Sequence, residues 1–198
     1  MSQKPAFRRA EPDERRISLI EASTRVLARD GVAGASVRAI AQEAGVSPGL
    51  VGHYFAGIDA LVAATYAHVE ARVNVVLDAA VNGAGPDPRA RLDAFVTASF
   101  STPLASGELL ATWIAFWSLV RSRPEIARQH DEQYAAFRMR LEHLLGACGL
   151  PAGRRRHAAI AITALVDGLW LELCLSPHAF SAAEASAIAR AMLDALLG

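Results

Sequence analysis

Apolar residues recur at helical spacing through almost the whole chain, and turn residues interrupt them at regular intervals. From Arg15 to Arg29 the period predicts a helix with Ile17, Ile20, Ser23 or Thr24 and Leu27 on one side, closed by Asp30-Gly31. Ser36 opens a short second helix, Val37 to Ala44, with Val37, Ile40, Ala41 and Ala44 inward and Gly45 at its end. Ser47-Pro48 opens a third that runs to about Tyr54, with Ser as cap and Pro in the first helical position. Gly57 and Asp59 precede a long helix to about Val81.

Five further helices are predicted downstream. Asp87-Pro88 starts one that carries Leu92, Phe95, Val96 and Phe100, and Ser106 starts another through Trp117. Pro124 starts a third, striped by Tyr134, Phe137, Leu141 and Leu144 and closed by Gly149. Pro151 precedes an apolar helix to Leu175, and Ser181-Ala-Ala-Glu184 is a capping box for a last helix ending at Leu197. Strand alternation and internal repeats are absent from the pattern. The expectation is an all-α fold of about nine helices: a flexible basic tail over 1–12, a small helical module over 13–73, and a larger bundle over 74–198.

Composition narrows the function. Hydrophobic residues make up 53% and charged residues 20%, which argues against disorder. Lys+Arg and Asp+Glu both total 20, so a nucleic-acid binder must concentrate its positive charge locally. The basic residues Lys4, Arg8, Arg9, Arg15 and Arg16 cluster at the start. The two cysteines, Cys148 and Cys174, have neither disulfide-framework nor zinc spacing, so no metal is expected and a reducing cytoplasm fits. The N-terminus has no apolar signal segment, and Thr163, Asp167 and Glu172 argue against a membrane span in the apolar helix.

The segment Ser36-Val-Arg-Ala-Ile-Ala-Gln-Glu-Ala-Gly-Val-Ser-Pro-Gly-Leu-Val-Gly-His-Tyr-Phe55 has the physics of a helix-turn-helix. Ala41 lets a second helix approach, Gly45 takes the turn, and Val46 plugs the core beneath it. Ile40, Val51 and Phe55 supply the shared apolar contact. That leaves Ser47, Pro48, Gly49, Leu50 and His53 outward, placed to meet base edges in a major groove. Ser36, Arg38 and Tyr54 complete the candidate DNA-binding set.

Residues 13–73 resemble the DNA-binding domain of the TetR family of repressors. The matching residues are Ile20-Glu-Ala, Gly31, Ser36-Val-Arg-Ala-Ile-Ala, Ala44-Gly-Val-Ser, His53-Tyr-Phe and Leu61. The resemblance implies a dimer reading a palindromic operator in double-stranded DNA, with a helical C-terminal domain for ligand and dimerisation. Two positions depart from the pattern. Gly52 stands where an aromatic phosphate contact is frequent, and Ile58 where the family usually has a backbone-contacting Lys. Restoring that Lys is expected to tighten DNA binding without changing the preferred sequence.

All three tryptophans fall in two C-terminal segments. Trp113, Phe116 and Trp117 share one helical face, and Asp167, Trp170 and Leu171 share a face of another. A carboxylate in so apolar a helix needs a partner, either an Arg or a bound cation. Tryptophan faces with one acid are how quaternary ammonium groups are held. The strings Ala111-Thr-Trp-Ile-Ala-Phe-Trp117 and Ala164-Leu-Val-Asp-Gly-Leu-Trp-Leu171 resemble the BetI type within the TetR family, choline-sensing repressors of glycine betaine synthesis genes. That resemblance implies a small-molecule effector, choline, near Trp113, Phe116, Trp117, Asp167 and Trp170, whose binding releases DNA. A different hydrophobic or cationic effector, in efflux or catabolism, is the alternative.

Homodimerisation is expected through the last two helices, with Ala158, Ile162, Leu165, Gly168 and Leu169 facing a second copy. An enzyme is disfavoured: the six His are scattered, and no catalytic motif or cofactor loop is present, so neither catalytic residues nor a cofactor is expected. A membrane-surface protein would need a basic amphipathic helix, and the apolar helices carry few cations.

Overall fold

The computed structural model describes residues 12–198. The expected basic tail over 1–12, with Lys4, Arg8 and Arg9, lies outside them apart from Pro12, which begins the first helix. The described residues form nine helices and no strand: α1 (Pro12–Gly34), α2 (Val37–Glu43), α3 (Pro48–Tyr54), α4 (Ile58–Gly83), α5 (Pro88–Ala98), α6 (Gly107–Val120), α7 (Pro124–Ala147), α8 (Ala152–Leu175) and α9 (Ala182–Leu197).

Short polar side chains start most of these helices, as the sequence implied. Ser36, Asp87, Ser106 and Ser181 each accept a hydrogen bond from a first-turn amide. The Ser181 amide in turn donates to Glu184 Oε2 at 2.8 Å, which completes the capping box. Pro sits in the first turn of α3, α5 and α7, where a missing N–H costs nothing. The expected stop of α1 at Gly31 is a kink: Gly31 has φ 63°, and one further helical turn follows to Gly34.

Two apolar clusters organise the chain. The smaller joins Leu19, Ile20, Val26, Ile40, Ala41, Val51, Phe55 and Leu61, from α1 to the start of α4. The larger runs from Leu27 and Val62 through α4 to α9. α4 serves both clusters, with Leu61 in the first and Tyr66, Val69 and Leu77 in the second. Residue 73, the expected domain boundary, therefore falls mid-helix. Ile58 is half-buried where the clusters meet and packs on both. At the same junction Arg123 pairs with Asp59 at 2.7 Å.

Some faces differ from the expected ones. Ile17 is 44% exposed; the buried side of α1 turns instead through Leu19, Ala22 and Val26. On α8, Ala158 and Ile162 belong to the core, and Leu165 and Leu169 pack half-buried against it. The outward face is Ile160, Ala161, Ala164, Gly168, Leu171 and Leu175. Because α8 is apolar all round, its period does not say which side faces inward. By length and composition α8 could also cross a membrane, but here it packs against α6, α7 and α9.

Candidate nucleic-acid interface and effector cavity

The helix-turn-helix is built around one tight corner. Gly45 has φ 66°, a backbone region that a side chain disfavours. The corner is fixed by bonds from Gly45 N to the Gln42 carbonyl at 3.1 Å and from Val46 N to the Ala41 carbonyl at 2.9 Å. Val51, fully buried, roots α3 in the small core, and Phe55 closes it. The Arg16 guanidinium lies 5.1 Å from the centre of the Phe55 ring, beside the end of α3.

What faces away is nearly the predicted set. Ser36, Arg38, Ser47, Pro48, Gly49 and His53 are exposed, while Leu50 and Tyr54 are half-buried. The His53 and Tyr54 rings meet edge to face at 5.1 Å. Ser47 holds the cap position without a side-chain cap bond. Glu43 accepts from Arg25 at 2.7 Å and Arg29 at 2.9 Å, which ties α2 to α1. Those two hydrogen-bonded arginines hold the Glu43 carboxyl below its ordinary range. At Gly52 a side chain would meet open space, so the missing aromatic is not excluded by crowding.

Away from the helix-turn-helix, a cavity opens between α4, α6, α7 and α8. Its walls are Val73, Leu77, Ser99, Trp113, Trp117, Gln133, Tyr134, Phe137, Thr163, Val166, Asp167 and Trp170. Counted out to its mouth it measures about 480 Å³. Four of the five predicted ligand residues meet there: Trp113, Trp117, Asp167 and Trp170. Phe116 does not. It is fully buried behind the wall, 4.8 Å from the Tyr66 ring and 5.7 Å from the Trp113 ring. Leu171, placed with Asp167 by period, faces outward, 39% exposed.

Asp167 is the only carboxylate among the described residues that line the cavity. Tyr134 donates its hydroxyl to Asp167 Oδ1 at 3.0 Å. Burial pushes the Asp167 carboxyl up to about 6, against the lowering effects of the Tyr134 bond and the Arg138 charge. Burial together with Asp167 raises the Tyr134 phenol further from ionisation. Trp170 is fixed by an indole bond to the Ser99 carbonyl at 2.7 Å. The indole N–H of Trp113, also buried, has no hydrogen-bond partner.

The sequence pattern missed Tyr134, Gln133 and Ser99 as wall residues. Tyr134 had a signal: a hydroxyl within the apolar stripe of α7, four residues after His130, whose ring stacks on it at 4.1 Å. Ser99 had none, because it is its backbone carbonyl that acts. No cluster of metal-ligating side chains occurs among the described residues.

Comparison with known proteins accounts for both ends. Residues 19–65 match the family described as bacterial regulatory proteins, tetR family. Residues 88–198 match that described as BetI-type transcriptional repressor, C-terminal. A relative from Paraburkholderia phytofirmans, the HTH-type transcriptional regulator BetI, is 35% identical over 92% of this chain and 93% of its own. A candidate transcriptional regulator from Pseudomonas aeruginosa PAO1, solved by crystallography, superposes with a TM-score of 0.86 at 42% identity over 99% of this chain and 96% of its own. Another, from Saccharomonospora viridis in complex with choline, superposes with a TM-score of 0.78 at 18% identity, over 92% of this chain and 96% of its own. The chain belongs to the TetR family of transcriptional regulators and carries a BetI-type C-terminal domain.

Proposed function

We propose that the protein is a cytoplasmic homodimeric repressor that leaves its operator when a choline-like quaternary ammonium compound enters the cavity of α4, α6, α7 and α8. The observation that carries the effector class is a single acid, Asp167, set among Trp113, Trp117, Tyr134 and Trp170. Ring faces attract a cation with no acidic proton to donate, and one carboxylate balances its charge in a site too apolar to hold either charge alone. The choline complex of the Saccharomonospora viridis protein shares only the fold, so the assignment rests on these side chains.

On the DNA side, Ser47, Pro48, Gly49, Leu50 and His53 read base edges, while Ser36, Arg38 and Tyr54 position the module on phosphates. Two copies join through the exposed apolar face of α8 (Ile160, Gly168, Leu171 and Leu175) and that of α9 (Ile188 and Met192). Small residues between the large ones allow close helix approach, and the two-fold axis matches an operator palindrome.

Tryptophan fluorescence titrated with choline tests the effector. A saturable change at millimolar choline or below is expected, and no response removes choline as the ligand.

A further inference from the structure

Gln133 stands on α7 between the cavity and α4. Its side chain is part of the cavity wall, and its oxygen accepts the Tyr66 hydroxyl at 2.5 Å. Tyr66 lies on α4, wholly buried, and is not a wall residue. Its ring packs edge-on against Trp113 at 5.4 Å, and Trp113 is a wall residue. One turn earlier on α7, the Gln129 amide donates to the Ala63 carbonyl of α4 at 3.3 Å. The α7 wall is thus tied to residues 63–66 of α4, directly after Ile58 and Leu61, which pack into the core of the reading head.

This seam is incompletely satisfied. Gln129 Oε1 and Trp113 Nε1 are both buried without partners. Unmet polar groups at a helix seam leave it less firmly specified than a dry, apolar one.

We infer that Tyr66 and Gln133 form the latch that couples cavity occupancy to the reading head. Closed, the latch holds α4 in the DNA-competent position. An occupant that displaces the Gln133 side chain takes away the Tyr66 acceptor, and α4 is freed from α7. Tyr66 is a positioning residue, since it touches no ligand. The inference rests on the effector reading above. A ligand shifts two states only by binding one better, so the closed latch opposes the ligand as much as the ligand opposes DNA.

Tyr66→Phe deletes the hydroxyl and keeps the ring. With the latch already open, choline should bind at least about threefold tighter by tryptophan fluorescence, while operator binding without choline weakens at least about threefold. A merely structural loss would weaken both. If either affinity is unchanged, or if choline binds more weakly, the latch is wrong. If the wild-type protein itself ignores choline, the effector reading has failed and hydrogen exchange decides the latch. Amides of 60–70 should then exchange at least about fivefold faster in Tyr66→Phe, with those of 37–54 unaltered. Unchanged protection over 60–70 overturns it.

Discussion

The reading head and the cavity are built on opposite principles. In the head, the buried core is apolar, the buried Ser23 hydroxyl of α1 is left without a partner while Thr24 donates to the Ile20 carbonyl, charged groups lie outside, and Arg25 and Arg29 of α1 are answered by Glu43. In the cavity, a carboxylate sits among indoles with its ionisation disfavoured, and Trp113 keeps a buried N–H unpaired. The head keeps its polar chemistry on its outer surface, where the proposed DNA contacts would be made. The cavity keeps unmet electrostatic demand inside, the demand that the proposed cationic effector would relieve.

The largest expected effect comes from breaking the head alone. Val51→Asp puts a charge where the side chain is fully buried, and operator binding should fall more than about 100-fold. The separate large core predicts that choline still perturbs tryptophan fluorescence in this variant, because no tryptophan lies in the head. Loss of that response would show that the two clusters do not stand apart.

Asp167→Asn should sharpen the contrast from the other side. Choline affinity is expected to fall about tenfold or more while the protein gains about 1–2 kcal/mol of stability in denaturant melts, since Asn accepts from Tyr134 without a buried charge. The wild-type carboxyl binds its proton more readily folded than unfolded. Its contribution to stability is therefore lost as pH rises from about 4 through about 6 and restored on acidification.

Ligand affinity runs the opposite way with pH. A cation needs the ionised carboxylate, so choline binding measured by calorimetry should weaken about fourfold from pH 7.5 to 5.5 in the wild type and stay level in Asp167→Asn. An equal pH dependence in both would remove Asp167 from the site.

Ile58→Lys gives the smallest effect and probes the seam between the regions. The Lys stem would take the place of Ile58 between the clusters while its ammonium reaches outward. The slope of log affinity against log salt should steepen by about 0.9 for one added phosphate contact. An unchanged slope would count against α4 starting beside the DNA backbone.

The same contrast explains what the sequence disclosed. Ser36, Pro48, Asp87, Pro124 and Ser181 act locally, so each helix start could be read from its own few residues. The outward face of α3 followed from Gly45 and Val51 for the same reason. In the cavity, period placed Phe116 beside Trp113 and Trp117, but the Tyr66 ring of α4 claims it. The wall at Ser99 depends on a backbone carbonyl, and Gln133 on a neighbour 67 positions earlier in the chain. In α8 the all-round apolar surface hid which side met the core, so Ala158 and Ile162 were assigned outward and lie inward. Long-range packing decides these cases, and local pattern does not carry it.

Choline titrated into the protein bound to a fluorescent operator, selected from random duplexes, joins the two regions in one experiment. DNA anisotropy and tryptophan emission would be recorded together. Release of the duplex over the same choline range that saturates the tryptophan signal is the predicted result. A cavity that fills while the duplex stays bound would contradict the account.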